Sequence, residues 1–576
     1  MPGAASAAPR QDASAHFGHQ RGSDLGLDAL MIVERGEVGA QWAALKPLTA
    51  MALPWTILAF GGLLRLVWYF DRGSLWLDES FIALNIVHRS PTELLEQLSF
   101  GQGAPWGFLL AEKLSVAALG VDELSLRLVP LLAALVSLPV FWRVASFYVE
   151  GRALLLSLVL FSLSPQLILY SAEAKQYSGD VLGTLLALWL LHSARQLSDR
   201  RRAVVVGLGG AVLLWFSHAS MMVLGAGGVV LGAAALVRRD WWHFRRLALI
   251  GTAWAASAGA FFLLAWPKLR YLQESITGEQ EYSVPFPPES LGDAEVLARK
   301  GGDVFETAFG FHGRPWSTLI VLAAATLTLA GGVVLARRDR IGAALVVAPL
   351  FAAATAVAAD LYPFSIRFVL FLVPLVVLLV AAGAAAALDA LAQRRRDRRP
   401  IAGAAVVAAA GLVAAAGLAS VRVITRQPDQ DIKPVLDDLR AASRPGDVLY
   451  LHAGSQYAAR FYAEVDEVNR SSAGNILWPV VPTASTTRGA PALRSAPPAL
   501  VVGQFQANGD STFTRDLASL DGRPRVWFVF SHVVRFEPTG IVGDLDRHIA
   551  ALDAAGTRRA TIRHGAAQAL LYDLRG

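Results

Sequence analysis

Apolar runs broken by short polar connections recur along most of the chain, near residues 50–70, 124–146, 152–171, 175–195, 203–218, 220–237, 247–266, 316–336, 341–359, 363–388 and 400–422. A helix crosses the hydrocarbon core of a bilayer with roughly 20 apolar residues, so the pattern predicts about eleven transmembrane helices. Arginines gather in every second connection: Arg143 with Arg152, Arg195 with Arg200 to Arg202, Arg238 and Arg239 with Arg245 and Arg246, Arg337 and Arg338 with Arg340, and Arg394 to Arg396 with Arg398 and Arg399. Basic residues in short loops mark the cytoplasmic side. That places Asp78, the segment YSAEAKQY at 170–177, His218, the loop 267–315, DLYPFSIR at 360–367 and the C-terminal region outside.

The stretch APWGFLLAEKLSVAALG at 104–120 is apolar but short, and Glu112 and Lys113 interrupt it. If it crossed the membrane, every later loop would invert and the arginine clusters would face outward. It is therefore read as an interfacial helix on the outer leaflet, within an external loop spanning 71–123. Residues 1–48 are polar, Ala- and Gly-rich and without period, and read as a disordered cytoplasmic tail. The membrane module then covers 49–424. From 425 to 576 the strand-like runs DVLYLHA, ALVVGQF and RVWFVFSHV and a helical stretch near DLDRHIAALDAAG describe a soluble, extracytoplasmic α/β domain, with 470–498 as loop. The fold class is an all-α polytopic membrane protein with a C-terminal α/β domain.

Composition agrees, with 54% hydrophobic and 17% charged residues and a mean hydropathy of +0.44. The net charge of +6 belongs to topology-setting arginines and makes no case for nucleic acid. Cysteine is absent, which removes disulfides, thiolate metal sites and cysteine nucleophiles. Usage heavy in Ala, Arg and Gly points to a bacterial source, hence an inner-membrane location with the N-terminus cytoplasmic.

Against this background Asp78 and Glu79, in SLWLDES just past the first apolar run, stand out because two acids sit among Trp76, Leu77 and Phe81. A carboxylate among apolar groups at a membrane surface can have a raised pKa and take a proton. The competing reading is that the pair marks the water boundary or caps a helix.

LWLDES, the helix APWGFLLAEKL, then ELSLRLVPLLAALVSLPVFWRVA and FSLSPQLILYSAEAKQYS together resemble the membrane module of GT-C glycosyltransferases. The nearest group is that of bacterial relatives of dolichyl-phosphate-mannose-protein mannosyltransferases, which includes lipid A aminoarabinose transferase. The resemblance covers residues 50–240, and YPFSIRFVLFLVPL at 362–375 looks like a second shared segment. It implies transfer of a sugar from a polyprenyl-phosphate donor to a lipid, glycan or protein hydroxyl, with inversion, on the extracytoplasmic face. Asp78 matches the first-loop acid and is the expected general base, with Glu79 either the alternative base or a support that orients the loop. Glu173 matches a second acidic position that would shape the site or raise the pKa of Asp78. Lys175 and Arg367 are expected to meet the donor phosphate, since cations at an outer membrane surface call for such a partner, and Lys113 is a further candidate for it. His218 could contact the head group or acceptor, Tyr177 and Gln176 could line the site and so bind substrate, and Arg65 and Arg127 could pair with Glu or lipid phosphate. The family admits a divalent metal, but no ligand spacing here makes a metal case of its own. One departure is Pro105 followed by Trp106 where relatives carry Pro-Pro, which bears on acceptor preference. Two other classes stay open: a lipid-linked sugar flippase and a membrane-anchored binding protein. Site candidates at the outer ends of spans argue against transport, which places polar groups near the midplane.

Overall fold

Eleven apolar segments become helices, but not all of them are long and apolar enough to cross a membrane. The structure is a computed structural model that describes residues 52–71, 73–197, 199–276, 284–310, 317–392, 399–425, 430–470, 500–503, 512–533 and 543–575. The tail expected over 1–48 and nearly all of the loop expected over 470–498 lie outside these residues. The first half runs α1 (Ala52–Phe70), α2 (Leu77–His88), α3 (Trp106–Leu119), α4 (Glu123–Ala145), α5 (Gly151–Ser162), α6 (Pro165–Leu169), α7 (Tyr177–Ala194), α8 (Arg200–Phe216) and α9 (Ala219–Val237). It continues through α10 (Trp241–Ile276), α11 (Leu291–Phe309), α12 (Ser317–Arg338), α13 (Arg340–Ala358), α14 (Val373–Ala392) and α15 (Arg399–Thr425). The α/β region follows as α16 (Ile432–Ala442), β1 (Val448–Leu451), α17 (Gln456–Arg470), β2 (Leu500–Val502), α18 (Phe513–Ala518), β3 (Val526–Phe530), α19 (Gly543–Ala555), β4 (Thr557–His564) and β5 (Ala567–Asp573).

Among the described residues eight helices pass as membrane spans, or nine when α5 and the turn from Pro165 to Ala172 are joined across a 50° bend. The protein is therefore a multi-pass membrane protein, with fewer clear spans than the eleven expected. The shortfall has local causes. Pro165 has no N–H to continue the α5 ladder, so the chain bends there. α7 carries Ser178, Asp180, Thr184 and His192 in its run, and α8 opens on three arginines and is only 17 residues long. α14 is apolar all round as far as Asp389 and is the most buried of the spans, as expected of a helix at the centre of a bundle. α3 is 14 residues long, about 21 Å at 1.5 Å per residue, which is too short to span. The loop expected over 267–315 is partly helical: α10 runs on to Ile276, and α11 is capped by the Ser290 and Asp293 box at one end and by left-handed Gly310 at the other.

The sheet has the order β2-β1-β3-β5-β4. β2, β1 and β3 are parallel, while β5 runs antiparallel to β3 and β4. Because successive strand residues point to opposite faces, the strands feed two cores. Val448, Tyr450, Val526, Phe528, Leu570 and Tyr572 pack on one side. Leu449, Leu451, Trp527, Val529 and Leu571 pack on the other, in one cluster with Ile432, Val435 and Phe461 of α16 and α17. That second cluster also holds Leu75, Ile82, Ile86, Leu94 and Phe108. The loop carrying Asp78 and the α/β region thus share one hydrophobic core. Polar ties reinforce it: the Leu75 N–H donates to the Tyr462 hydroxyl at 2.7 Å, the Lys433 N–H to Ser74 Oγ at 2.8 Å, and Lys433 Nζ to Glu123 Oε1 at 2.8 Å.

Candidate active site

Asp78 and Glu79 occupy the first turn of α2, where the helix leaves backbone N–H groups unpaired and favours acids. Glu79 accepts the Trp76 N–H at 3.0 Å, so the capping reading holds for that residue. Its carboxylate takes three further bonds: from Arg127 Nε at 2.9 Å, from Arg127 Nη2 at 2.7 Å, and from the Ala174 N–H at 2.8 Å. Four donors match the roughly four lone-pair positions of a carboxylate. Arg127 also donates to the carbonyls of Gly73 and Ser74. Burial pushes the Glu79 carboxyl up, but Arg127 and the two backbone N–H groups outweigh it and hold the group below the usual carboxylate range. With its side chain 3% exposed and every lone pair engaged, Glu79 joins the start of α2, α4 and the 173–175 turn. It orients the loop.

Asp78 projects from the same turn to a different partner. Its carboxylate pairs with the Arg367 guanidinium, and the two side chains remain 19% and 22% exposed. Burial raises the Asp78 pKa, yet Lys175 and Arg367 together pull it below the ordinary value. The carboxyl expected to be raised is instead kept ionised. Lys175 is buried and donates to Gln102 Oε1, and its backbone N–H reaches the Glu173 carbonyl at 2.6 Å. Burial lowers the Lys175 pKa against the pull of Asp78. Glu173 takes the upward shift: burial first, then Glu79 and Asp78, push its carboxyl to about 8. At neutral pH Glu173 is mostly protonated, so it adds little negative charge beside Lys175, and Asp78 lies between Lys175 and Arg367.

Tyr177 completes the group. Its ring meets Tyr170 edge-on at 5.1 Å and Phe368 at 6.1 Å, and Arg367 lies over the Phe368 ring at 5.3 Å. Asp78, Glu79, Glu173, Lys175, Tyr177 and Arg367 therefore belong to one constellation. Lys113 stands apart. Its ammonium donates to the carbonyls of Ile86 and Val87 at 2.7 and 3.1 Å, at the far end of α2. Eight residues of helix put that end about 12 Å from Asp78. His218 lies just before α9 with its ring 5.1 Å from Phe261 of α10. Arg65 donates to the carbonyls of Gly61 and Ser162, so it braces α1 against α5.

Some contributors drew no attention as site groups. Asp180, four residues beyond Gln176, accepts from Ser217 Oγ at 2.6 Å; an acid early in an apolar helix is the same kind of signal that singled out Arg367. Glu112 is fully buried with neither carboxyl oxygen hydrogen-bonded, and burial with Glu79 nearby pushes its pKa well up. Gln102 could only be found by seeing where the loop folds.

Among the described residues no group of three or more His, Asp or Glu side chains is arranged to hold a metal. Glu79 has no lone pair to spare and Asp78 is paired with a guanidinium, so these donors as arranged do not fit a divalent ion.

No protein-family model and no curated protein sequence matches the chain. Among solved structures it is similar to ArnT from Cupriavidus metallidurans bound to undecaprenyl phosphate, with a TM-score of 0.47 and 13% identity over 90% of this chain and 98% of that one. The apo state of the same protein gives a TM-score of 0.46 at the same identity and coverage. The oligosaccharyltransferase of Archaeoglobus fulgidus in its apo form gives 0.41 at 11% identity, over 71% of this chain and 59% of that one.

Proposed function

We propose that the protein transfers a glycosyl group from a polyprenyl-phosphate donor to an acceptor hydroxyl on a lipid, glycan or protein, at the extracytoplasmic membrane face and with inversion. The observation that carries this reading is the partly exposed Asp78–Arg367 pair beside buried Lys175. An anionic phosphate entering there meets the Lys175 side chain and a guanidinium that can turn to it. Phosphate oxygens accept bidentate bonds from guanidinium at least as well as a carboxylate does, so donor binding draws Arg367 off Asp78. The freed carboxylate then accepts the acceptor proton as the hydroxyl oxygen bonds to the anomeric carbon. The bond from that carbon to the phosphate oxygen breaks, and polyprenyl phosphate leaves with the electron pair, steadied by Lys175 and Arg367. Glu79 takes no proton in this scheme. The α/β region, sharing its core with the Asp78 loop, is suited to presenting the acceptor.

The test is transfer of labelled sugar from a panel of polyprenyl-phosphate sugars in membranes holding the full chain or its Asp78→Asn variant. Label should move into a lipid, glycan or protein fraction only with the unmodified chain. Undiminished transfer by Asp78→Asn would remove the base assignment, and absence of donor consumption by either would turn the reading toward a flippase.

A further inference from the structure

At the end of the bundle opposite Asp78, a cavity of about 330 Å³ lies between the start of α5 and the C-terminal ends of α12 and α14. The distance between the two sites follows from α14 itself: Val373 to Asp389 is 16 residues, about 24 Å of helix, most of the ~30 Å thickness of a hydrocarbon core. The cavity has a local origin. α12 and α14 touch backbone to backbone at Gly331 and Gly383, where an added Cβ would stand 1.9 Å from the Leu379 carbonyl oxygen and 2.2 Å from that of Leu327. A few residues further along α14, the side chains facing the space are Ala385 and Ala386, which end at Cβ and leave it unfilled. A volume near ten times the ~30 Å³ share of one water is large for a packing fault.

Its lining is divided by chemistry. The floor is apolar, and the mouth carries Arg152, Arg338, Glu150 and Asp389. Arg152 and Asp389 meet only at 3.3 Å with both side chains more than half exposed, a pair that water screens and a ligand can readily open. Arg338 has no hydrogen bond or ion pair among the described residues, and Glu150, although placed at the N-cap of α5, caps nothing with its side chain. Two cations and two anions around the mouth of an apolar slot at a membrane face complement a head group that carries both charges.

We infer that this cavity binds a zwitterionic phospholipid bearing a primary ammonium, that is, a phosphoethanolamine head group, in the leaflet away from Asp78. The phosphate bridges Arg152 and Arg338, the ammonium donates to Asp389 and Glu150, and the start of one acyl chain lies over the alanine floor. A purely anionic head group would meet two carboxylates, and a trimethylated ammonium would offer them no N–H. The site is independent of glycosyl transfer and stands or falls without it.

The test uses the full chain purified in detergent, incubated with equal amounts of phosphatidylethanolamine, phosphatidylglycerol and phosphatidylcholine, with retained lipid measured per chain by native mass spectrometry. Retention of one phosphatidylethanolamine, favoured about tenfold or more over the other two, is expected. Ala386→Leu, which fills the floor, and the double variant Arg152→Gln with Arg338→Gln should each abolish that preference. The double variant changes only exposed side chains, so it decides the matter should Ala386→Leu not fold. Equal retention of the three lipids, no retained lipid, or an unchanged preference in the double variant would overturn the inference.

Discussion

Replacing Glu79 by Gln keeps the shape of the side chain and removes its charge, so it isolates what the buried carboxylate does for Arg127. Both partners are almost fully enclosed, at 3% and 8% side-chain exposure. The variant leaves the guanidinium with neutral carbonyl acceptors alone, those of Gly73, Ser74 and the new amide, and turns an NH2 donor toward it in place of the second carboxylate oxygen. Breaking a buried pair on one side typically costs about 3–5 kcal/mol. The same change at Asp78, to Asn, touches a pair whose members are 19% and 22% exposed, so water can recover part of the lost bonding and the cost is smaller, about 1–3 kcal/mol. The two neighbours should therefore separate by about 2 kcal/mol, roughly thirtyfold in a folding equilibrium. Thermal unfolding of the purified protein reads this as a larger fall in midpoint for Glu79→Gln than for Asp78→Asn. A double-mutant cycle with Arg127→Gln should return a coupling energy above 1 kcal/mol, within the range for directly bonded groups. Equal midpoints for the two single variants, or additivity in the cycle, would refute the division of the pair into a structural and a reactive acid.

Glu173 gives a pH signature. Its folded-state pKa near 8 lies above the ordinary value of about 4.3, so the folded protein holds an extra proton between those values and stability falls as pH rises through that window. Glu173→Gln should flatten this fall in unfolding scans, and in transfer assays should remove the rise in donor KM expected above about pH 8, where ionised Glu173 offsets Lys175; an unchanged profile would count against it. At the helix contact, Gly331→Ala should lower the unfolding midpoint, because the new Cβ meets backbone that cannot yield and such overpacking costs about 1–3 kcal/mol. Gly332→Ala, which meets nothing within 4 Å, is its control and should leave the midpoint in place.

Much of this architecture was legible in the hydrophobic pattern because apolar length and arginine placement answer directly to the bilayer. The failures are instructive in the same terms. The apolar run near 175–195 was read as a plain span, yet Asp180 and Thr184 mark α7 as a helix whose polar groups are spent inside the bundle. Within the α/β region the three parallel strands, two of them buried and β2 at the edge, are legible from their dense apolar runs. β4 and β5 were missed, since edge strand β4 reads TRRATIRH and presents arginines outward, a common protection of an exposed edge. Arg127 was recognisable as a cation in need of a partner, but only folding shows that the partner is Glu79, 48 residues earlier in the chain.

The pairing also shows why two adjacent acids can do unlike work. Successive residues of a helix point about 100° apart, so the first turn of α2 sends Glu79 toward α4 and Asp78 toward Arg367. Glu79 is then fixed by donors from three separate segments, and the turn they hold is the one from which Asp78 projects. Beneath the turn, Leu75 and Ile82 sink into the core that also contains Phe461 and Trp527. Asp78 is consequently positioned by the α/β region as much as by the membrane helices. A change in how that region packs reaches Asp78 through one short helix, and it reaches Lys175 too, because Ala174 lies in the same core and Lys175 is bonded to Gln102 of the same loop. Arg367 comes instead from the segment leading into α14, so Asp78 and Arg367 sit on separate supports and meet at one ion pair, the arrangement that the proposed mechanism needs if phosphate binding is to draw the guanidinium off the carboxylate.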